Sequence, residues 1–199
     1  MNLEEYRMVF VTGSLILMLI ATVPTVGLIV PFPDVGERFS ELWLLGPNRM
    51  AEGYPFNVGV DETYRVFVGV GNHLGDSAYY LVYVKFRNQT ELLPNTTASE
   101  ASPLAPLYEF RAFVADGDAW EAPLTFSVLD ASREDDSLSV DRLAINDEAF
   151  IVNTSAKWDS KYEGFYFQLF FELWLYNSVS WNFQFHDRFV AIWLNVTDS

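Results

Sequence analysis

The stretch Gly164-Phe165-Tyr166-Phe167-Gln168-Leu169-Phe170-Phe171-Glu172-Leu173-Trp174-Leu175-Tyr176 decides the fold class. Successive side chains of an extended strand point to opposite faces, so alternate residues read as two sides of a sheet. One side carries Phe165, Phe167, Leu169, Phe171, Leu173 and Leu175 and is apolar throughout. The other carries Tyr166, Gln168, Phe170, Glu172, Trp174 and Tyr176, a mixed set expected to be half exposed. A helical period would scatter both sets, so the stretch is a strand laid on a core.

The flanking sequence repeats the pattern. His186–Val196 alternates in the same way and closes the chain. Thr63–Val70 and Ala78–Arg87 alternate on either side of Gly71-Asn72-His73-Leu74-Gly75-Asp76, and they read as an antiparallel hairpin. Leu138–Leu143 and Ala149–Asn153 suggest another, turning at Asn146-Asp147. Glu91–Pro106, with its prolines, serines and threonines, reads as a surface loop, and Asp130–Ser139 as a second. No amphipathic helix of substantial length is expected after Val30. Strands without alternating helices imply a mainly β fold, an antiparallel sandwich resembling immunoglobulin-like domains, over residues 34–199.

The N-terminal part is different in kind. Met8–Val30 holds 23 residues without a charge, flanked by Arg7 and by Pro31, Pro33 and Asp34. As a helix it would cover about 35 Å, against a hydrocarbon core of ~30 Å. Residues 8–30 are therefore expected to be a transmembrane anchor, with a short cytoplasmic tail at 1–7 and the β domain outside. The alternative is a cleaved signal peptide with its apolar core at Leu15–Val23. Four Asn-x-Ser/Thr triplets, with candidate N-glycosylation acceptors at Asn88, Asn95, Asn153 and Asn195, all fall outside the apolar run and favour an extracytoplasmic location.

Composition excludes several chemistries. Twelve Lys+Arg against 27 Asp+Glu give a formal charge of −15, which argues against nucleic acid as a partner. There is no cysteine, so disulfides, thiol nucleophiles and Cys-ligated metals are ruled out. Gly69-x-Gly71-x-x-x-Gly75 has the wrong spacing and the wrong following element for a dinucleotide loop, and reads as turn glycines. His73 and His186 lie in different hairpins without zinc spacing, and His73 is expected to orient a turn. Asp116-Gly117-Asp118 and Glu134-Asp135-Asp136 offer hard oxygen ligands that could hold calcium, but their spacing matches no calcium loop and they read as solvated acidic turns. No catalytic residue, cofactor or metal site is expected. The six tryptophans are scattered, most of them for packing; exposed ones would suit a sugar ring or a partner surface.

The segment Phe39-Ser40-Glu41-Leu42-Trp43-Leu44-Leu45-Gly46-Pro47, with Ala51-Glu52-Gly53-Tyr54-Pro55, resembles the archaeal domain of unknown function 1616 family. The likeness continues through Val68-Gly69-Val70-Gly71-Asn72-His73, Phe171–Tyr176 and Ile192-Trp193-Leu194-Asn195-Val196. It implies a membrane-anchored archaeal surface protein with an outer β-rich module, and supplies no catalytic residues. The resulting expectation is a single-pass protein of the cell membrane whose C-terminal domain lies outside. Its partners would be the lipid bilayer, through residues 8–30, and an envelope protein or glycan. Its role would be non-enzymatic binding or scaffolding. The alternatives are a carbohydrate-binding module or an enzyme acting on surface glycans, the latter resting on abundant carboxylates alone.

Overall fold

The computed structural model describes residues 3–29 and 37–197. It divides into two compact units, one ending at Arg38 and one beginning at Phe39. The first unit contains α1 (Leu3–Ile29), 27 residues long. The helix begins inside the expected tail, and Thr12 and Ser14 hydroxyls donate to the carbonyls one turn back. Among the described residues no helix is long and apolar enough to cross a membrane. The spanning role expected of residues 8–30 is thus not supported here. Val30 lies outside the described residues, as do the side chains of Leu19 and of 21–29.

The second unit is a sandwich of ten strands: β1 (Phe39–Leu45), β2 (Asn57–Gly59), β3 (Tyr64–His73), β4 (Ala78–Asn88), β5 (Tyr108–Val114), β6 (Ala119–Glu134), β7 (Ser137–Ile145), β8 (Glu148–Lys157), β9 (Tyr166–Asn177) and β10 (Asn182–Thr197). One sheet runs β1-β3-β6-β7-β8, the other β2-β10-β9-β4-β5. All pairings between these strands are antiparallel except β2 with β10. A single core joins the sheets. Val66, Val68, Leu124, Phe126 and Leu143 come from the first, and Val82, Val84, Phe167, Leu169 and Phe171 from the second. The coarse expectation of a mainly β, mainly antiparallel sandwich therefore holds.

Three local expectations are corrected. β3 and β4 do not form a hairpin, because each belongs to a different sheet. Alternation marks a strand but carries no information about its neighbour, and here the connection arches between layers. The Asn72 side chain holds that arch: its amide nitrogen donates to the carbonyls of Asp76 and Val114, and its oxygen accepts from Leu74 N. Asp130–Ser139 is no loop. β6 and β7 run through it to a two-residue turn at Asp135-Asp136, with Asp135 at φ 50°. Gly69 and Gly71 lie within β3, where a Cβ on Gly69 would fall 2.2 Å from the Trp43 indole. Of that trio, Gly75 is the turn glycine, at φ 86°. The hairpin turning at Asn146-Asp147 is found as expected, both residues having positive φ.

Candidate functional site

The outer face of β9 is where sequence and structure diverge most. Phe170 and Glu172 are fully buried, and so are Leu81, Lys85 and Arg87 on the matching face of β4. The segment between β4 and β5 reaches Lys85 and Glu172 through Ser102. A buried carboxylate must be paired, and Glu172 has a full set of partners. Lys85 Nζ lies 2.8 Å from Oε2, Ser102 N donates to Oε1 at 2.8 Å, and Trp174 Nε1 donates to Oε2 at 3.2 Å. Lys85 also donates to the Ser102 carbonyl at 2.9 Å. The expected surface loop is thus a strap, anchored through Ser102 to a buried ion pair.

A second polar cluster lies near the start of β10, where the register with β9 shifts between Phe185 and Arg188 and Asp187 takes φ 50°. His186, in this bulge, reaches Ser40 on β1, with Nε2 3.0 Å from Oγ. Ser40 Oγ is 2.7 Å from the Tyr80 hydroxyl, and Tyr80 donates to Asn72 Oδ1 at 3.1 Å. The proton order follows from the far end. Asn72 Oδ1 only accepts, so the Tyr80 proton lies there; Ser40 must then donate to Tyr80, and His186 Nε2 must donate to Ser40. A base for a serine nucleophile would have to accept that proton instead. Ser40 is also 1% exposed. Burial, together with Arg188, pushes the His186 pKa down against the opposing pull of Asp187, so the ring is neutral at neutral pH. The cluster is structural.

The other end of β10 is open. Phe56, Gln89, Asp159, Tyr162, Tyr166 and Trp193 line a cavity of about 380 Å³. β2 and β10 position two of these rings, since Asn195 N donates to the Phe56 carbonyl and Trp193 lies two residues earlier. The Phe56 and Tyr166 rings are 6.0 Å apart, and Tyr162 meets Tyr166 edge-on at 6.3 Å. Phe56, Tyr166 and Tyr162 thus follow one another as tilted and edge-on rings, and Trp193 lines the same cavity. Tyr162 is 62% exposed and Trp193 44%. Asp159 Oδ1 accepts from Lys161 N and Tyr162 N, which holds the carboxylate in place at the rim. Lys161 Nζ lies 4.6 Å from the Tyr162 ring centroid. Opposite Trp193 in the register stands Gln168, 5% exposed, whose Oε1 has no hydrogen-bond partner among the described residues. Residues directly opposite in an antiparallel pair share a face, so this acceptor lies on the side of the sheet that carries the cavity.

The family model Domain of unknown function (DUF1616) matches residues 33–147, more than half of the chain. The chain belongs to that family. The DUF1616 match ends between β7 and β8, so it includes Phe56 and Gln89 of the cavity and excludes Asp159, Tyr162, Tyr166 and Trp193. No curated protein matches the sequence. Among solved structures the chain is similar to the CARDB domain of a Pyrococcus furiosus protein in complex with di-metal ions. That similarity is at 7% identity and a TM-score of 0.41, over 84% of this chain and 100% of that one. It is also similar to a β-glucosidase from Listeria innocua in complex with glucose, at 10% identity and a TM-score of 0.38. There it covers 84% of this chain and 19% of the enzyme. Both likenesses are too distant to carry an argument about function.

The four candidate acceptor asparagines separate into two kinds. Asn95 and Asn153 are exposed, Asn153 in the β8 bulge at φ 45°. Asn88 and Asn195 use their amides internally. Asn88 Nδ2 donates to the Ser155 carbonyl, while Asn195 Nδ2 donates to Asn57 and its oxygen accepts from Phe165 N. His73 stacks on Phe39 at 4.7 Å, and its Nε2 lies 3.7 Å from Glu41. Asp116 Oδ1 accepts from Gly75 N, tying two turns together. Among the described residues no three His, Asp or Glu side chains converge to hold a metal ion.

Proposed function

We propose that this DUF1616 chain is a non-enzymatic binding module of the cell envelope. In this reading an immunoglobulin-like domain lies outside the membrane, tethered to the lipid bilayer through residues 8–30, and binds at the cavity beside Trp193. The open aromatic wall carries the proposal. Large rings exposed together around a concavity are unusual on a monomer surface and mark contact sites. The Ser40–His186 pair, the nearest approach to a nucleophile and base, is closed to substrate and has its protons arranged the wrong way. The tether is supported by the uncharged run at 8–30, and the outer location by the exposed acceptors Asn95 and Asn153.

The test is recovery of envelope material on the intact protein from mildly solubilised membranes, compared with a Tyr162→Ala/Trp193→Ala double variant. Loss of the bound material in the variant is expected. Equal recovery with both proteins would move the binding surface elsewhere or remove the function.

A further inference from the structure

Resting on the tethered reading of residues 8–30, we infer that the β domain itself touches the lipid surface, through the β9–β10 turn at 178–181 and a row of aromatic rings beside it. Val179 is 88% exposed and Trp181 80%, the most exposed large apolar side chains among the described residues. Just behind them Tyr176 pairs with Phe183, Tyr79 meets both rings at 6.1 and 5.2 Å, and Phe113 stands opposite Tyr79 on β5. Directly opposed residues share a face. Tyr79 and Phe113 alternate with the core residues Tyr80 and Ala112, so the row crosses four strands on the outer side of the sheet. The run from Leu173 to Phe185 carries no charge, in a chain where 20% of residues are charged.

Two observations make the occupant a bilayer rather than a protein. The domain begins at Phe39, which pairs with His73 at the entry to the β3–β4 arch, while Ser40 meets His186; the tether therefore enters at the same end as the turn. The order of side chains also follows the depth profile of a membrane interface. An aliphatic residue stands at the tip with an indole beside it, and tyrosines, whose amphipathic rings settle among headgroups, come next. From Tyr176 to Val179 is no more than about 10 Å of chain, the depth to which interfacial elements sink. Arg111, 5.7 Å from the Phe183 ring centroid, adds a cation for lipid phosphate. Asp76, Asp116 and Asp118 are exposed at this end too, so a zwitterionic surface suits it better than an anionic one. The tether holds this weak contact in place by effective concentration. With this end on the lipid, the cavity beside Trp193, at the other end of β10, opens away from the membrane.

The chain has no cysteine, so Ser178→Cys gives a unique site for a nitroxide spin label, and Lys161→Cys, beside the cavity, gives the aqueous control. The full chain is placed singly in phosphatidylcholine nanodiscs. Collision of the label with oxygen, which concentrates in lipid, is compared with collision with a water-soluble nickel chelate. The oxygen-to-nickel ratio at 178 is expected to be roughly threefold or more above that at 161, as for a probe within the interface. Adding Val179→Ser/Trp181→Asn should bring it down to the control value. Asparagine tolerates the φ of 55° at position 181, and circular dichroism checks the fold. Equal ratios at 178 and 161 without those changes would overturn the lipid contact. Poor access of both reagents to 178, the mark of a protein cover, would overturn it too. Retention of the chain on liposomes through an alkaline wash separates these failures from that of the tether. A retained chain with equal ratios keeps the tether and loses the rim, and a chain that washes off ends both.

Discussion

The two ends of β10 carry similar residue types and behave in opposite ways. Near His186 an imidazole, a serine, a tyrosine and an asparagine form a chain in which each donor has its acceptor and the serine and tyrosine are buried. Seven residues on, about 23 Å along the strand, Trp193 opens onto a cavity lined by Phe56, Tyr162 and Tyr166. The difference shows which polar cluster is structure and which is site. A buried network whose partners are complete has nothing left for a ligand, whereas exposed rings around an open concavity do. The pairing of Lys85 with Glu172 is the extreme of the first kind.

The largest effect is therefore expected at that pair. Lys85→Met leaves the Glu172 carboxylate buried without its cation and should cost ~3–5 kcal/mol in chemical denaturation. The strap should loosen with it, seen as faster amide exchange around Ser102. A loss below about 1 kcal/mol would mean that water reaches Glu172, and the contrast between closed clusters and the open end would weaken.

At the closed end the effect is smaller. Tyr80→Phe removes one hydroxyl from the chain and leaves Ser40 without its acceptor, at a cost of about 1–3 kcal/mol, with no change in the envelope material recovered at the far cavity. The same closure predicts that a fluorophosphonate leaves Ser40 unlabelled. Covalent labelling there would turn the closed end into a catalytic one and reverse the comparison.

His186 adds a pH signature. Its pKa in the folded protein lies below the ordinary 6.5, chiefly through burial, so the unfolded chain binds a proton more readily than the native one. The His186 contribution is complete above about pH 6.5 and is lost as the pH falls through the lower folded value. Ser40, Arg188 and Asp187 surround the ring, and Asp187 moderates the effect without reversing it. The difference in urea midpoint between the natural chain and His186→Gln should shrink between pH 7.5 and pH 5. A difference that grows on acidification would mean the imidazolium is the stabilised form.

How much of this was legible in the sequence depends on the distance between partners. The turn at Asn146-Asp147 is local, because two residues that tolerate positive φ lie between alternating runs, and it reads directly. The apolar face of Phe167, Leu169, Phe171 and Leu173 reads directly too, because period two needs only one strand. Sheet membership does not: Thr63–Val70 and Ala78–Arg87 alternate as hairpin partners would, yet the Asn72 arch sends them into different layers. Burial of the second β9 face was hidden because the strap that reaches Glu172 has the Pro, Ser and Thr content of an exposed loop. The candidate site was the least legible. Its rings come from positions 56, 162, 166 and 193, and the tryptophan reading placed a sugar-binding surface among the alternatives without grouping them. Gln168, the one buried acceptor lacking a donor among the described residues, has no sequence signal at all.

The smallest expected change in stability bears most on function. Trp193 is 44% exposed, and its outer-face position lets Trp193→Ala keep the core residues Ile192 and Leu194 in place. Unfolding should shift by less than about 1 kcal/mol, as for most surface changes, while binding at the cavity falls at least tenfold. Tyr80→Phe should do the opposite, lowering stability and sparing binding. The pair forms a crossed test: two aromatic changes at opposite ends of one sandwich, each silent in the measurement that the other moves. If both variants lose stability and binding together, the ends are coupled through β10, and the division into a closed structural end and an open ligand end no longer describes the molecule.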